Sequence, residues 1–247
     1  MKIAVFDSGL GGVTVLKELI VKNPNEYIYY ADQKNLPYGS KTKEELEKIA
    51  TEIFTEVLKK NIDICVCACG TLSSNASDKL DNLSKKYNVP WIGIVETLSS
   101  ACSKYNGKNA LLIGTCATIK SKVLENKIKE KMSKSLIYSK ACEDFVKVIE
   151  NQNSSETDLL DVTKKYLEEY KDKVEIVICG CTHYILYEKY IKEVLGNVIV
   201  IDAADQISKE LKSITDDFDL TKKSTVEMFT SKYSEDFKNK FNKLINL

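Results

Sequence analysis

The stretch IDICVCACGT, residues 62–71, is a run of apolar residues that ends in a cysteine, a glycine and a threonine. Comparable apolar runs recur along the chain at residues 2–7, 27–32, 91–96, 109–115, 135–141, 174–181 and 197–203. Between them lie segments with apolar residues near helical spacing, such as residues 42–61 and 158–173. Near-continuous apolar strands that alternate with helices are typical of a parallel sheet covered on both faces. The sequence therefore predicts a doubly wound α/β fold.

A second stretch, VEIVICGCTH at residues 174–183, repeats the pattern of residues 62–71. The segments IAVFDSGLGGVTVL and ALLIGTCATIKSKV also share a strand, a glycine-bearing turn and a helix start, and each precedes its cysteine stretch at a similar distance. This echo predicts two pseudo-symmetric lobes with mainly parallel sheets, one of residues 1–97 plus 208–247 and one of residues 98–207. Because ligands of such folds bind beyond the carboxyl ends of strands, we expect Cys69 and Cys181 on opposite walls of a cleft between the lobes.

The composition excludes several classes of ligand. The 247-residue chain has 36 basic and 36 acidic side chains, so its net charge attracts neither nucleic acid nor an acidic membrane surface. Every basic residue is lysine, which rules out a guanidinium clamp, and His183 is the single histidine, which rules out a multi-histidine metal site. No run approaches the roughly 18 apolar residues of a membrane helix, and the N-terminus is unlike a signal peptide. We therefore expect a cytoplasmic protein whose eight cysteines are thiols.

The alternating cysteines of residues 62–71 lack the spacing of a metal site. In a strand, Cys65, Cys67 and Cys69 point to one face about 7 Å apart, whereas structural zinc ligands usually come from turns with two to four intervening residues. No metal site is predicted. Six cysteines are expected to pack as small apolar side chains, namely Cys65, Cys67, Cys102, Cys116, Cys142 and Cys179.

Two opposed thiols suit a reaction that takes a proton from one face of a carbon and returns one to the other face. The ordinary cysteine pKa of about 8.5 makes the thiolate accessible near neutrality, and a helix N-terminus after each strand is expected to favour it. Asp7, at the end of the first strand, and His183, two residues after Cys181, are the expected partners of the two sulfurs.

The loop DSGLGGVT at residues 7–14 imitates a dinucleotide-binding fingerprint, with Asp32 ending the next strand. The third glycine is missing, because Thr14 stands there, and Asp7 would place a carboxylate beside the pyrophosphate. The chain shows neither a P-loop nor a lysine marked as a pyridoxal site. No cofactor is predicted.

Several longer motifs together point to one family: FDSGLGG (6–12), YYADQKNLPYGSK (29–41), ACGT (68–71), ACEDFVKVIE (141–150), GCTHYIL (180–186), VIVIDAADQIS (198–208) and FTSKYSEDFKNKFNKLI (229–245). On these motifs, nearly the whole chain resembles the cofactor-independent aspartate/glutamate racemase family. The resemblance implies interconversion of L- and D-glutamate by two cysteines, with D-glutamate supplied to peptidoglycan synthesis. It also implies glutamate as the small-molecule partner and a homodimer as the assembly.

The resemblance implies a role for each matching position. Cys69 and Cys181 match the two catalytic acid–base residues, Asp7 and His183 match positions that assist them, and Glu150 matches an acidic position of the same site. Asp32 matches an acidic position near the mouth of the cleft. The positions matched to substrate contact are Asp7, Ser8, Tyr38, Gly39, Gly70, Thr71, Thr182 and His183.

The chain departs from the family pattern at a few positions. Gly70 stands where the family usually has asparagine, which removes a side-chain amide expected to hold the substrate. Glu143 and Lys147 replace prolines, and Thr97 stands where proline is common. These departures leave two alternatives open: a racemase of aspartate or another amino acid, and a binding paralogue without turnover.

Overall fold

The computed structural model describes residues 1–151, 153–215 and 223–246. The strands in these ranges are β1 Lys2–Asp7, β2 Glu26–Ala31, β3 Ile64–Cys67, β4 Trp91–Gly93, β5 Ala110–Gly114, β6 Ile137–Ala141, β7 Ile176–Cys179, β8 Ile199–Ile201 and β9 Thr225–Thr230. They form two sheets, in the orders β4-β3-β1-β2-β9 and β6-β5-β7-β8. All their paired strands are parallel. The predicted α/β class with parallel sheets is confirmed.

Helices connect the strands: α1 Gly12–Lys22, α2 Lys43–Leu58, α3 Gly70–Asn75, α4 Ser77–Tyr87, α5 Ile94–Cys102, α6 Cys116–Ser121, α7 Val123–Lys131, α8 Glu143–Glu150, α9 Glu156–Leu167, α10 Glu188–Leu195, α11 Ala204–Ile214 and α12 Glu235–Ile245. Short 3-10 helices occur at Gln33–Asn35, Tyr38–Ser40, Ser103–Tyr105, Glu168–Tyr170 and Tyr184–Tyr187. The start of α2 is fixed by a capping box, in which Thr42 and Glu45 bond each other's backbone N–H groups. Over the described ranges, no helix combines the length and the apolarity needed to cross a membrane.

The two sheets repeat one topology. The order β4-β3-β1-β2 of the first sheet corresponds to β8-β7-β5-β6 of the second, with β9 added at one edge of the first. We call the parts built on these sheets the first lobe and the second lobe. Strands β3 and β7 are therefore equivalent, and each ends two residues before one of the paired cysteines, Cys69 and Cys181.

One apolar core lies between the sheets and is shared by both lobes. Ile64 and Val66 of β3 contribute to this core together with Ile176 and Ile178 of β7. The intervening side chains point the opposite way, into separate clusters under the outer helices of each lobe. Because side chains alternate along a strand, these strands are buried on both faces, which is why their sequences are apolar throughout.

The predicted lobe boundaries lie within helices. The step from residue 97 to 98 falls inside α5, and the step from 207 to 208 falls inside α11. Residues 216–222 and 247, which the prediction assigns to the first lobe, lie outside the described residues. The exact boundaries stay a prediction.

Two elements differ from the sequence-based expectation. Residues 91–96 were expected to form one strand, but β4 ends at Gly93 and α5 begins at Ile94. The hydroxyl of Ser73 accepts a hydrogen bond from the N–H of Val95 and so satisfies a free donor of the first turn. Strand β9 was not predicted, because it is a partly exposed edge strand whose polar residues interrupt the apolar pattern.

An aromatic cluster holds α8, the helix that ends at Glu150, against the second lobe. The ring of Phe145 is fully buried and stacks on Tyr187 with centroids 4.2 Å apart. The hydroxyl of Tyr187 donates to the Phe145 carbonyl at 2.7 Å, and that of Tyr184 donates to the Cys142 carbonyl at 2.6 Å. These contacts fix α8 through both its side chains and its backbone.

We expect Phe145→Ala to lower the free energy of unfolding by about 3–5 kcal/mol, because it removes a fully buried ring and leaves a cavity. Urea denaturation followed by circular dichroism measures this change. Tyr233→Ala is the control, since Tyr233 is 61% exposed and its loss is expected to change stability by about 0.5 kcal/mol or less. Equal effects of the two substitutions would contradict the assigned role of Phe145.

Candidate active site

The carboxyl ends of strands from both lobes open on a cavity of about 670 Å³. A larger cavity of about 810 Å³ lies nearby, but none of the predicted site residues lines it. The smaller cavity is lined by nine of the eleven predicted site residues: Ser8, Tyr38, Gly39, Cys69, Thr71, Glu150, Cys181, Thr182 and His183. Residues that are more than 100 positions apart in the chain thus meet at one site.

On the wall formed by the second lobe, the ring of His183 lies between a thiol and a carboxylate. Its Nδ1 is 3.8 Å from Cys181 Sγ, and its Nε2 is 2.8 Å from Glu150 Oε1. Burial alone lowers the pKa of His183, but the hydrogen bonds to Cys181 and Glu150 outweigh burial and raise this pKa well above its ordinary value. The ring is therefore an imidazolium near neutral pH, and it donates to both partners.

Glu150 is the matching anion of this pair. Burial tends to raise the pKa of Glu150, but the hydrogen bond and charge of His183 outweigh it and lower the pKa below its ordinary value. The backbone carbonyl of Glu150 also accepts a hydrogen bond from Lys240 Nζ of α12 at 3.0 Å. An ionised carboxylate and an imidazolium therefore face each other directly.

On the wall formed by the first lobe, Asp7 lies behind the cavity surface and is fully buried. Its Oδ1 accepts from the Gly9 N–H at 2.9 Å and from the Ser8 hydroxyl at 3.2 Å, and its Oδ2 accepts from the Thr182 hydroxyl at 3.0 Å. The last of these bonds crosses between the lobes. Burial raises the pKa of Asp7, although His183 and these hydrogen bonds counteract the rise.

Cys69 is the thiol of this wall. Burial and the neighbouring charge of Asp7 raise the pKa of Cys69 well above its ordinary value. α3 begins directly after Cys69, and a backbone hydrogen bond from Leu72 in this helix lowers the pKa of Cys69 in the expected direction, but burial and Asp7 outweigh this effect. After Cys181 the chain forms a 3-10 turn at Tyr184–Tyr187 before α10 begins. The two sulfurs thus have unlike surroundings, the Asp7 carboxyl group beside Cys69 and the His183 imidazolium beside Cys181.

A chain of hydroxyl groups, not predicted as a unit, joins the lobes across the cavity. Thr71 Oγ1 lies 2.9 Å from Thr115 Oγ1, which in turn lies 3.0 Å from Thr118 Oγ1. Thr115 is the N-cap residue of α6 and lines the cavity. The sequence carries a signal for it, because GTCAT at residues 114–118 lies at the end of β5 as DSGLGG at residues 7–12 lies at the end of β1.

Asp32 does not line the cavity itself but bonds a residue that does. It is buried, and its carboxylate accepts hydrogen bonds from the hydroxyls of Tyr38 at 2.7 Å and Ser231 at 2.5 Å. Asn35 donates to the same carboxylate at 2.8 Å. Asp32 therefore holds Tyr38, which lines the cavity, in place.

The expectation of core packing is wrong for one cysteine. Cys65, Cys67, Cys102, Cys142 and Cys179 are buried, but Cys116 is half-buried and lines the cavity, where its thiol contacts the Glu143 carboxylate.

Position 116 begins α6 at the end of a strand, so its side chain faces the cleft. Within the described part of the chain, no group of three or more His, Cys, Asp or Glu side chains could hold a metal ion.

Gly70 also differs from the expectation of substrate contact, since it does not line the cavity. A Cβ built on Gly70 would lie 1.9 Å from the carbonyl oxygen of Gly180 in the other lobe. A side chain at position 70 would therefore point toward the backbone of the second lobe and not into the cavity.

The fold and the site together define a class: two-lobed α/β proteins in which thiols from equivalent strands of both lobes face one interlobe cavity. The profile of the Asp/Glu/hydantoin racemase family matches residues 15–210 of the chain. The chain belongs to this family.

Individual relatives agree with this assignment. The chain is similar to the glutamate racemase of Aquifex pyrophilus, with 36% identity over 88% of this chain and 84% of that protein. It is 37% identical to glutamate racemase 2 of Caldanaerobacter subterraneus subsp. tengcongensis, over 96% of this chain and 90% of the relative. The crystal structure of the Francisella tularensis glutamate racemase in complex with D-glutamate superposes with a TM-score of 0.89, at 29% identity, and covers 100% of this chain and 94% of that one.

Replacement of Glu150 by glutamine is expected to lower the pKa of His183, because it removes the negative partner of the imidazolium. His183 is the only histidine, so one NMR signal, that of Cε1–H, reports its titration. The stabilising effect of a raised histidine pKa is complete below the ordinary value of about 6.5 and is lost as pH rises through the folded-state pKa. Unfolding free energy is therefore expected to fall over that interval in the parent and to fall less in Glu150→Gln.

Glu143→Gln is the matched control, since Glu143 lies on the same helix but contacts Cys116. It is expected to leave the titration of His183 close to that of the parent. A His183 pKa that does not change in Glu150→Gln would contradict the assigned ion pair.

Proposed function

We propose that this chain is a glutamate racemase that interconverts L- and D-glutamate by acid–base chemistry of Cys69 and Cys181. The observation that carries the proposal is the placement of these thiols on the two walls of one cavity, each with its own charged partner. Two relatives that this chain matches over most of their length are glutamate racemases, which supports the same substrate.

The unlike surroundings of the two sulfurs favour one acid and one base at rest. Cys181 is assigned as the base because its sulfur lies 3.8 Å from the His183 ring, while burial and Asp7 raise the pKa of Cys69 and so favour its protonated form. Cys181 then takes the α-proton of one enantiomer. The electron pair of the broken Cα–H bond stays on the substrate, delocalised into its carboxylate, until Cys69 donates its proton to the opposite face of Cα.

The reverse reaction uses the sulfurs in exchanged roles. After one turnover Cys69 is the thiolate and Cys181 is the thiol. A thiolate beside Asp7 is a strong base, because the raised pKa of Cys69 increases its affinity for a proton. This strength suits removal of the weakly acidic α-proton. Asp7 and His183 thus tune the two thiols, and Glu150 keeps the His183 ring charged and oriented.

The cavity offers positive charge and hydroxyl groups to an acidic amino acid. Lys41, Lys120 and Lys147 line it together with Glu143 and Glu150, and Glu150 is paired with His183, so the positive charges outnumber the negative ones and attract an acidic substrate. In the absence of arginine, the substrate carboxylates are bound by hydroxyls and by backbone N–H groups near Tyr38 and Gly39. The proposed hydroxyl donors are those of Thr71 and Thr115. The hydroxyls of Ser8 and Thr182 already donate to Asp7, so we propose that they contact the substrate as acceptors of its ammonium group.

The wider role follows from the family. We propose that the reaction needs no cofactor, since the acid and the base are both side chains of the chain, and that the enzyme acts in the cytoplasm. Its D-glutamate then supplies peptidoglycan synthesis. A homodimer stays the expected assembly.

Incubation with L-glutamate in D2O is expected to yield D-glutamate that carries one deuterium at Cα, because the α-proton leaves and a solvent-derived deuteron enters from the opposite face. NMR measures the deuterium, and chiral chromatography measures the enantiomers. L-aspartate and L-alanine are the comparison substrates and are expected to react much more slowly. Absence of both exchange and inversion with glutamate would contradict the proposed function.

Cys69→Ala and Cys181→Ala are each expected to lower kcat by about 10²- to 10⁴-fold, the usual contribution of one acid–base group. The matched control is Cys102→Ala, since Cys102 is also buried but packs in the shared core away from the cavity. Coupled measurement of D-glutamate formation gives kcat for each variant. Turnover close to the parent in either cavity variant would refute the two-thiol assignment.

A further inference from the structure

The lobes are in backbone contact beside the two thiols. Gly70 directly follows Cys69, and Gly180 directly precedes Cys181. A Cβ added to Gly70 would lie 3.6 Å from the Cys181 Cα, which is an ordinary contact, but only 1.9 Å from the Gly180 carbonyl oxygen, where ordinary contacts lie at 3.4–4 Å. No side chain fits at position 70 unless the lobes move apart.

Backbone conformation does not explain the glycine. The φ angle of Gly70 lies outside the left-handed region, so any L-residue could adopt it. Gly70 is also the first residue of α3, where alanine is a better helix former. The contact with the second lobe is therefore the feature that requires glycine.

The opposing atom cannot easily move. Gly180 is tied to its own sheet, because its N–H donates to the Ile113 carbonyl at 2.8 Å. Other glycines of the first lobe also face the second lobe, but they meet side chains: an added Cβ on Gly9 would lie 2.7 Å from Glu150 Oε1, and one on Gly11 would lie 2.4 Å from Thr182 Oγ1. Side chains can rotate away, whereas the Gly180 carbonyl is part of the main chain directly after β7 and moves only if that main chain moves.

We propose that Gly70 is a positioning residue that sets how closely the lobes approach, and through this approach the separation of Cys69 from Cys181. The proposal rests on the proposed function, since the separation matters because both thiols serve one Cα. Relief of the 1.9 Å contact to 3.4 Å moves the two backbones apart by about 1.5 Å. A shift of this size near reacting atoms typically costs about 100-fold in rate.

This role opposes the expectation from sequence. If Gly70 merely lacks a substrate-binding amide, Gly70→Asn restores the amide and raises activity. If Gly70 sets the lobe separation, Gly70→Asn and Gly70→Ala both lower activity, because each adds a Cβ. The pair of variants thus separates the two explanations.

The test compares the parent, Gly70→Ala and Gly70→Asn with L- and D-glutamate. Both variants are expected to lose about 100-fold in kcat with a smaller change in KM. The ratio of α-deuterium exchange to inversion in D2O is expected to rise, because the more distant thiol delivers its proton less often than solvent does. Melting temperatures close to the parent show that the loss is not unfolding.

Gly107→Ala is the control, because its added Cβ would meet no atom within 4 Å and Gly107 does not line the cavity. It is expected to keep kcat within a few-fold of the parent. Crystal structures of the parent and Gly70→Asn supply a readout independent of turnover. The distance from the Cα of residue 70 to the Gly180 oxygen is expected to increase by about 1 Å or more in the variant.

A gain of activity in Gly70→Asn, or an unchanged distance in its crystal structure, would overturn the role of Gly70. Failure of the proposed function has a different signature. In that case the parent itself exchanges no α-proton of glutamate, while the crystallographic distance still decides whether Gly70 sets the lobe separation.

Discussion

The packing of two parallel sheets on one shared core decides where the cavity lies. Ile64 and Val66 of β3 and Ile176 and Ile178 of β7 belong to the same apolar cluster, so the orientation of one sheet relative to the other is fixed by burial. The carboxyl ends of parallel strands lie along one edge. A cysteine placed two residues after β3 and another placed two residues after β7 therefore line the same cavity.

Although the two lobes repeat one topology, they carry different ionisable side chains at equivalent positions. Phe6 pairs with Cys67 in the first sheet as Ile113 pairs with Cys179 in the second. Asp7, the residue after Phe6, is therefore equivalent to Gly114. The second lobe thus lacks a carboxylate at that position, and the first lobe has Thr71 where the second has His183. One repeated fold therefore places a carboxyl group beside one thiol and an imidazolium beside the other. These replacements underlie the proposed division of the two like sulfurs into an acid and a base.

Much of the fold was predictable, because strands buried on both faces are apolar throughout and their repetition is visible in the sequence. The equivalent cysteines were predictable for the same reason. Cys116 was not, since burial of a single cysteine depends on which way a strand end points into the cleft. Strand β9 was missed because an edge strand needs only one covered face. Residues 94–96 were misassigned because a short apolar run fits a strand and a helix start equally well.

Gly70 shows the limit of reasoning from a motif. Read from the sequence, glycine in place of the usual asparagine lacks an amide side chain, which suggests that a hydrogen bond to the substrate is lost. In the folded chain the Cα–Cβ direction at this position meets the Gly180 carbonyl, an atom 110 residues away that no local pattern can reveal. The same glycine therefore has a steric meaning that only the contact between lobes can supply. Because the contact joins the residues adjacent to both thiols, a change at position 70 acts on their separation before it acts on the substrate.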